Sequence, residues 1–136
     1  MKGIKNEVLV IGDRELDQVK MNLYSDEKTF LVELEGKTIQ SWEDYISIIQ
    51  DKFKFPTKCF DSVDRYLDLI RDLEWLKKDR FVLIIRNYSF FLKQNPKLRN
   101  EIISEFTEII LPFWQEEVEE VIIGGRAKSF LVYLVE

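Results

Sequence analysis

Four aspartates stand at three- and four-residue intervals: Asp61, Asp64, Asp68 and Asp72. On a helix, which turns about 100° per residue, they fall within roughly one quarter of the circumference. Val63, Tyr66, Leu67, Ile70 and Leu73 fall on the opposite side. Such a stripe can do two kinds of chemistry. Carboxylates four residues apart can share a divalent cation. They can also meet a basic surface, steering association at long range and forming desolvated ion pairs on contact. A merely solvated face would carry acids too, with Asp61 and Asp64 favouring the helix N-terminus through its dipole. Stability alone does not select this pattern, however. Acids at i and i+4 repel by a few tenths of a kcal/mol, and Asp is a poor helix former.

The rest of the composition narrows the choice. Histidine is absent from the 136 residues. That removes Ser–His and Cys–His nucleophile pairs and histidine metal sites together. The single cysteine, Cys59, follows Lys58, whose ammonium would favour a thiolate. Without a histidine a catalytic thiol is not expected, and with one cysteine no internal disulfide forms, which fits a reducing compartment. Gly124-Gly125 before Arg126 has no strand–GxxxxGK–helix frame and reads as a turn. A metal-assisted hydrolase built on Asp64 and Asp68 therefore lacks support. No enzyme, cofactor or metal site is expected. The net charge of −5 suits a basic partner better than a phosphate backbone, so direct nucleic-acid binding is not expected. Glu116, Glu117, Glu119 and Glu120 around Val118 read as a solvated loop or strand edge.

The elements that must position the stripe follow from hydrophobic period and breakers. Glu7 to Ile11 is β-rich and closes at Gly12-Asp13, and Asp13 to Leu23 has weak helical spacing. Thr29 to Leu34 predicts a strand ending at Glu35-Gly36. Ser41 and Asp44 resemble a capping box, and Trp42, Tyr45, Ile46, Ile49 and Phe53 form one helical face that stops before Pro56. Asp61 or Ser62 caps the acidic helix, predicted over roughly Val63 to Leu73. Phe81 to Ile85 is a continuous apolar run of the kind buried on both faces of a parallel sheet. Asn95-Pro96 opens a helix with the stripe Leu98, Ile102, Ile103, Phe106, Ile109 and Ile110, which Pro112 ends or kinks. Val118 to Ile123 and Phe130 to Val135 are β-rich, either as a hairpin or with the final strand alone in the sheet. Trp42, Trp75 and Trp114 read as packing residues. The order from residue 29 points to an α/β layered domain with at least three strands.

With these elements in place, the stretch from Leu34 to Leu76 resembles the barstar family, intracellular inhibitors of barnase-type ribonucleases. Gly36, Ile39 and Ser41, then Phe55-Pro56, Asp64, Asp68 and Asp72-Leu73-x-Trp75-Leu76 carry the resemblance, and Pro56 is spaced from both Asp64 and Asp68 without a gap. The strand Phe81 to Ile85, the helix around Phe106-Thr107-Glu108 and the strand Phe130 to Val135 look like the rest of that fold. The resemblance implies a barstar-like domain at 29–136 with a small, mostly parallel sheet flanked by helices. Residues 1–28 then form an N-terminal, β-containing extension packed on it. It also implies a ribonuclease inhibitor or immunity protein, in which the acidic helix and preceding loop enter a nuclease cleft. Asp64 and Asp68 inherit the main contacts and Glu108 an accessory one, with Lys58, Phe60, Asp61 and Asp72 around them.

The loop departs from the family pattern, which resembles Tyr-Phe-Gly-x-Asn-Trp-Asp-Ala. Here Lys58 stands at the first aromatic, Phe60 at the Gly, Ser62 at the Asn, Val63 at the Trp and Arg65 after the key Asp. Two functions follow: an inhibitor of a basic nuclease toxin, or a barstar-like interaction module retargeted to a non-nuclease protein. A free monomer is expected. The first residues, Met1 to Lys5, do not lead into an apolar segment of leader length, and no stretch approaches roughly 20 apolar residues. A cytoplasmic protein with no membrane contact is the expectation.

Overall fold

The run Phe81 to Ile85 is completely enclosed because both faces of its strand are covered. In the computed structural model, which describes residues 5–23 and 26–136, this strand is one of two at the centre of a four-stranded sheet. The strands are β1 (Val8–Ile11), β2 (Thr29–Glu35), β3 (Arg80–Arg86) and β4 (Ser129–Val135), and their spatial order is β1-β4-β3-β2. Every neighbouring pair is parallel, with Phe30 opposite Phe81, Phe81 opposite Phe130, and Val8 opposite Val132. Parallel strands need crossover connections, and here helices supply them. The reading of Met1 to Lys5 falls mostly on residues 1–4, which lie outside the described residues.

Strand alternation divides the core in two. Phe81, Leu83 and Ile85 of β3, with Phe130, Val132 and Leu134 of β4, face the large core under α2 (Trp42–Lys52), α3 (Val63–Ile70) and α4 (Pro96–Glu105). Val82, Ile84 and Val135 face the other way and meet Leu16 of α1 (Asp13–Leu23). The weakly periodic segment after β1 is thus a helix, stabilised by covering the second face of the sheet. β1 itself widens that sheet by one strand. Asn6 fixes its entry: the Asn6 side chain donates to the Lys128 carbonyl at 2.9 Å and accepts from the Phe130 N–H at 2.8 Å.

The helix starts follow their capping residues. Ser41 accepts from the Asp44 N–H, Ser62 from the Arg65 N–H, and Asn95 from the Leu98 N–H with Pro96 at the first helical place. Gly36 is required after β2, because a Cβ there would lie 2.5 Å from the Asn87 carbonyl oxygen and 2.6 Å from that of Arg86.

One expectation is corrected and one is narrowed. Val118 to Ile123 is not a strand, and no hairpin precedes β4. Val118–Val121 is a short helix, α5, and the chain leaves it in a turn. Of the two outcomes expected at Pro112, an end or a kink, the helix does not end there. Helical backbone continues through π-helical turns at Phe106–Ile110 and Phe113–Glu117. Wider turns carry a four-residue spacing along one face, so Phe106, Ile110, Trp114 and Val118 all reach the core. That packing, with the helix-forming glutamates around Val118, outweighs the β preference of the valines.

Candidate partner-binding site

The acidic helix is shorter than its sequence pattern. α3 stops at Ile70, Arg71 caps it, and Leu73 takes the left-handed conformation at φ 54°. Asp64 and Asp68 therefore lie on the helix, Asp61 just ahead of it, and Asp72 in the turn beyond. All four are exposed. Asp68 pairs with Arg71 at 3.5 Å, while among the described residues no ion pair engages Asp61, Asp64 or Asp72. The opposite face is anchored by Tyr66 and Ile70, both fully buried. The Tyr66 hydroxyl shares a 2.6 Å hydrogen bond with that of Tyr45 on α2, and burial pushes both phenols well above their usual pKa.

An eight-residue helix is marginal on its own. Three indoles hold this one in place. Trp42 Nε1 donates to the Phe60 carbonyl in the preceding loop at 2.9 Å, and Trp114 Nε1 donates to the Ile70 carbonyl at the helix end at 3.1 Å. Trp75 Nε1, just beyond, donates to the Phe53 carbonyl at the end of α2 at 2.9 Å. The tryptophans pack as expected, and their N–H groups also satisfy backbone carbonyls at the element ends around α3.

The loop before α3 is ordered by backbone bonds. The Cys59 N–H donates to Gln50 at 3.0 Å, and the Lys58 carbonyl accepts from Arg65 at 3.1 Å. Cys59 is buried, and burial raises its thiol pKa despite the nearby Arg65, which argues against an exposed thiolate. Lys58 is exposed. Phe60 combines two unfavourable features: a left-handed backbone at φ 53° and a ring that is 67% exposed. Strain of this kind persists where the surrounding structure over-determines it, often at functional sites.

Glu108 is exposed on the first π turn. It lies beside two further acids, Glu101 and Glu105 on α4, which the sequence pattern alone does not mark as site residues. Their four- and three-residue spacing puts them on one face with Glu108, a signal overshadowed by the apolar stripe on the other side of α4. Glu101 and Glu105 also line a small cleft, of ≈ 130 Å³, with Asp61, Val63 and Trp42. Glu105 Oε1 is buried there without a hydrogen-bond partner. Burial, and then the charge of Glu101, pushes the Glu105 carboxyl up to about 6. Among the described residues, no three acidic, histidine or cysteine side chains are placed to hold a metal ion.

The geometry is thus an exposed acidic surface on α3 and α4 with an aromatic ring at its edge. The sequence model of the barstar family, described as barnase inhibitor, matches residues 29–126. The chain belongs to the barstar family. No curated protein and no solved structure matches it. The barstar match begins at β2 and includes the 58–65 loop, α3 and α4, and it leaves out β1, α1 and β4. Phe60 has the left-handed backbone that glycine adopts freely. No helix among the described residues is long and apolar enough to cross a membrane.

Proposed function

We propose that this barstar-family protein is an inhibitor, not an enzyme, and that it blocks a basic nuclease in the cytoplasm by docking α3 and the 58–65 loop into the nuclease cleft. Asp64 and Asp68 make the main contacts, Asp61 and Asp72 extend them, Glu108 adds an accessory charge from the neighbouring helix, and Lys58 and Phe60 border the site. The observation that carries the reading is the exposed, largely unpaired carboxylate stripe on a helix held rigidly at both ends. Rigid presentation lowers the ordering cost of binding, and the charge accelerates encounter with a basic surface. Barnase and barstar are themselves the measured case of strong coupling between close charge pairs across an interface. The test is co-expression with a barnase-type ribonuclease, followed by titration of purified protein into a ribonuclease assay. Asp64→Ala with Asp68→Ala should abolish protection and inhibition. Undiminished inhibition by that double variant would refute the site.

A second reading is a retargeted interaction module. It is favoured by Phe60, whose exposed ring occupies a place where the family pattern has no side chain. Affinity capture that returned a non-nuclease protein, released by Asp64→Ala with Asp68→Ala, would select this reading over inhibition.

A further inference from the structure

The segment whose sequence predicts a strand is instead a displayed apolar corner. α5 ends at Val121, Ile122 is extended, and Gly124 turns the chain at φ 76°. Val121, Ile122 and Ile123 are 65%, 51% and 104% exposed, three aliphatic side chains in succession. The turn has a defined shape. The Ile122 N–H donates to the Val118 carbonyl and the Gly125 N–H to the Ile122 carbonyl. A Cβ on Gly125 would lie 2.5 Å from the Val118 oxygen. This corner lines a groove of ≈ 670 Å³ together with Asp68, Asp72 and Glu74.

The charges in the groove are unequal in their freedom. Its three cations are engaged. Arg71 pairs with Asp68 and lies over the Phe113 ring, Arg126 pairs with Asp79 at 3.3 Å, and Lys128 donates to the Lys78 carbonyl at 2.7 Å. Asp72 and Glu74 have no ion pair among the described residues. The groove thus holds aliphatic side chains together with two carboxylates that have no ion pair, and it reaches the α3 stripe at Asp68. A second copy of the chain is a poor occupant, because it would set Asp72 and Glu74 against their own kind in a protein of net charge −5.

We propose that this groove is the second half of the partner-binding surface, and that it takes an apolar side chain flanked by Lys or Arg from the same basic protein that meets Asp64 and Asp68. The assignment of one partner to both halves rests on the inhibitor reading; the chemistry of the groove does not. Buried aliphatic contacts beside a charged rim supply affinity where ion pairs supply rate and register.

The test uses the full ¹⁵N-labelled chain and two peptides, acetyl-Lys-Lys-Leu-Lys-Lys-amide and its Ser analogue. The Leu peptide should shift the amides of 121–126 and the Trp114 indole N–H, with the Ser peptide binding about tenfold more weakly, as loss of one buried aliphatic side chain implies. Ile122→Ser with Ile123→Ser should erase that preference. Ile123→Ser alone, at a fully exposed side chain, guards against a folding artefact and should weaken it. Equal binding of the two peptides, shifts confined to 61–68, or peptide-free, concentration-dependent shifts at 121–126 would each overturn the proposal. Barnase provides the second arm. If it binds the native chain and the Ile122/Ile123 variant equally well, the groove is not part of the interface. If no ribonuclease is inhibited but the groove still selects the Leu peptide, the inhibitor reading fails and the groove stands.

Discussion

Glu105→Gln should make the protein more stable at neutral pH. The Glu105 carboxyl has a buried, unpartnered oxygen, and burial together with Glu101 raises it from 4.5 to about 6. Its folded pKa exceeds its unfolded one, so the native state holds the proton more tightly. The contribution of Glu105 to stability is then greatest below pH 4.5, declines as pH rises through the window to about 6, and stays reduced above it. A shift of this size corresponds to at most about 2 kcal/mol. Because the carboxyl retains part of its hydration, roughly 1 kcal/mol is the expected penalty at pH 7. Glutamine keeps the shape and the buried oxygen while removing the charge.

Urea unfolding followed by tryptophan fluorescence at pH 4, 5, 6 and 7 measures the effect directly. The Gln variant should match the native chain near pH 4 and gain about 1 kcal/mol by pH 7, or about 3–5 °C in Tm. Glu101 is the other carboxylate acting on this group, so Glu101→Gln should recover a smaller part of the gain. The reasoning is refuted if Glu105→Gln is neutral or destabilising at pH 7, or if its effect does not change between pH 4 and 7.

Three further outcomes are expected. Phe60→Gly relieves a left-handed conformation that costs a non-glycine residue about 1–2 kcal/mol; after the greater unfolded-state entropy of glycine is subtracted, thermal unfolding should show a net gain of up to about 1 kcal/mol, and a lower Tm would contradict the strain. Tyr45→Phe leaves the buried Tyr66 hydroxyl without its partner and should cost about 1–3 kcal/mol, whereas adding Tyr66→Phe should recover part of the loss in a double-mutant cycle read by denaturant unfolding. Gly36→Ala drives a methyl into the Arg86 and Asn87 carbonyls and should cost about 1–3 kcal/mol or more by the same measurement.

The elements legible in the sequence are those with a local signature. Ser41, Ser62 and Asn95-Pro96 cap their helices because a side-chain oxygen next to free N–H groups is a local interaction. The Phe81 to Ile85 run announces a strand covered on both faces for an equally local reason. Val118 to Ile123 misled because valine and isoleucine fit strands in general, while here Val118 is claimed by the core one wide turn beyond Trp114. At Pro112 the sequence left an end or a kink open, and π turns on either side carry the helix past the proline. The end of α3 at Ile70 was hidden by the continuing apolar spacing to Leu73, which reaches the core from a left-handed turn. At the site, Asp64 and Asp68 were visible as a pair because their four-residue period lies within one helix. The approach of Glu101 and Glu105 to Asp61 was not, because it depends on how α4 packs against α3.

The arrangement around α3 shows how a short helix with unfavourable surface charge stays ordered. Repulsion between Asp64 and Asp68 works against it, as does the low helix propensity of aspartate, and eight residues supply little cooperative gain. Burial of Tyr66 and Ile70 offsets these costs on one face, at about 1.5–3 kcal/mol for each fully enclosed side chain. The indole bonds act at the places where a helix is weakest, its last carbonyls and the loop that leads into it. None of these stabilising contacts involves an aspartate of the stripe. Carboxylates can therefore be changed one at a time without dismantling their support, so loss of binding in an Asp64 or Asp68 variant would report on the partner contact and not on the fold.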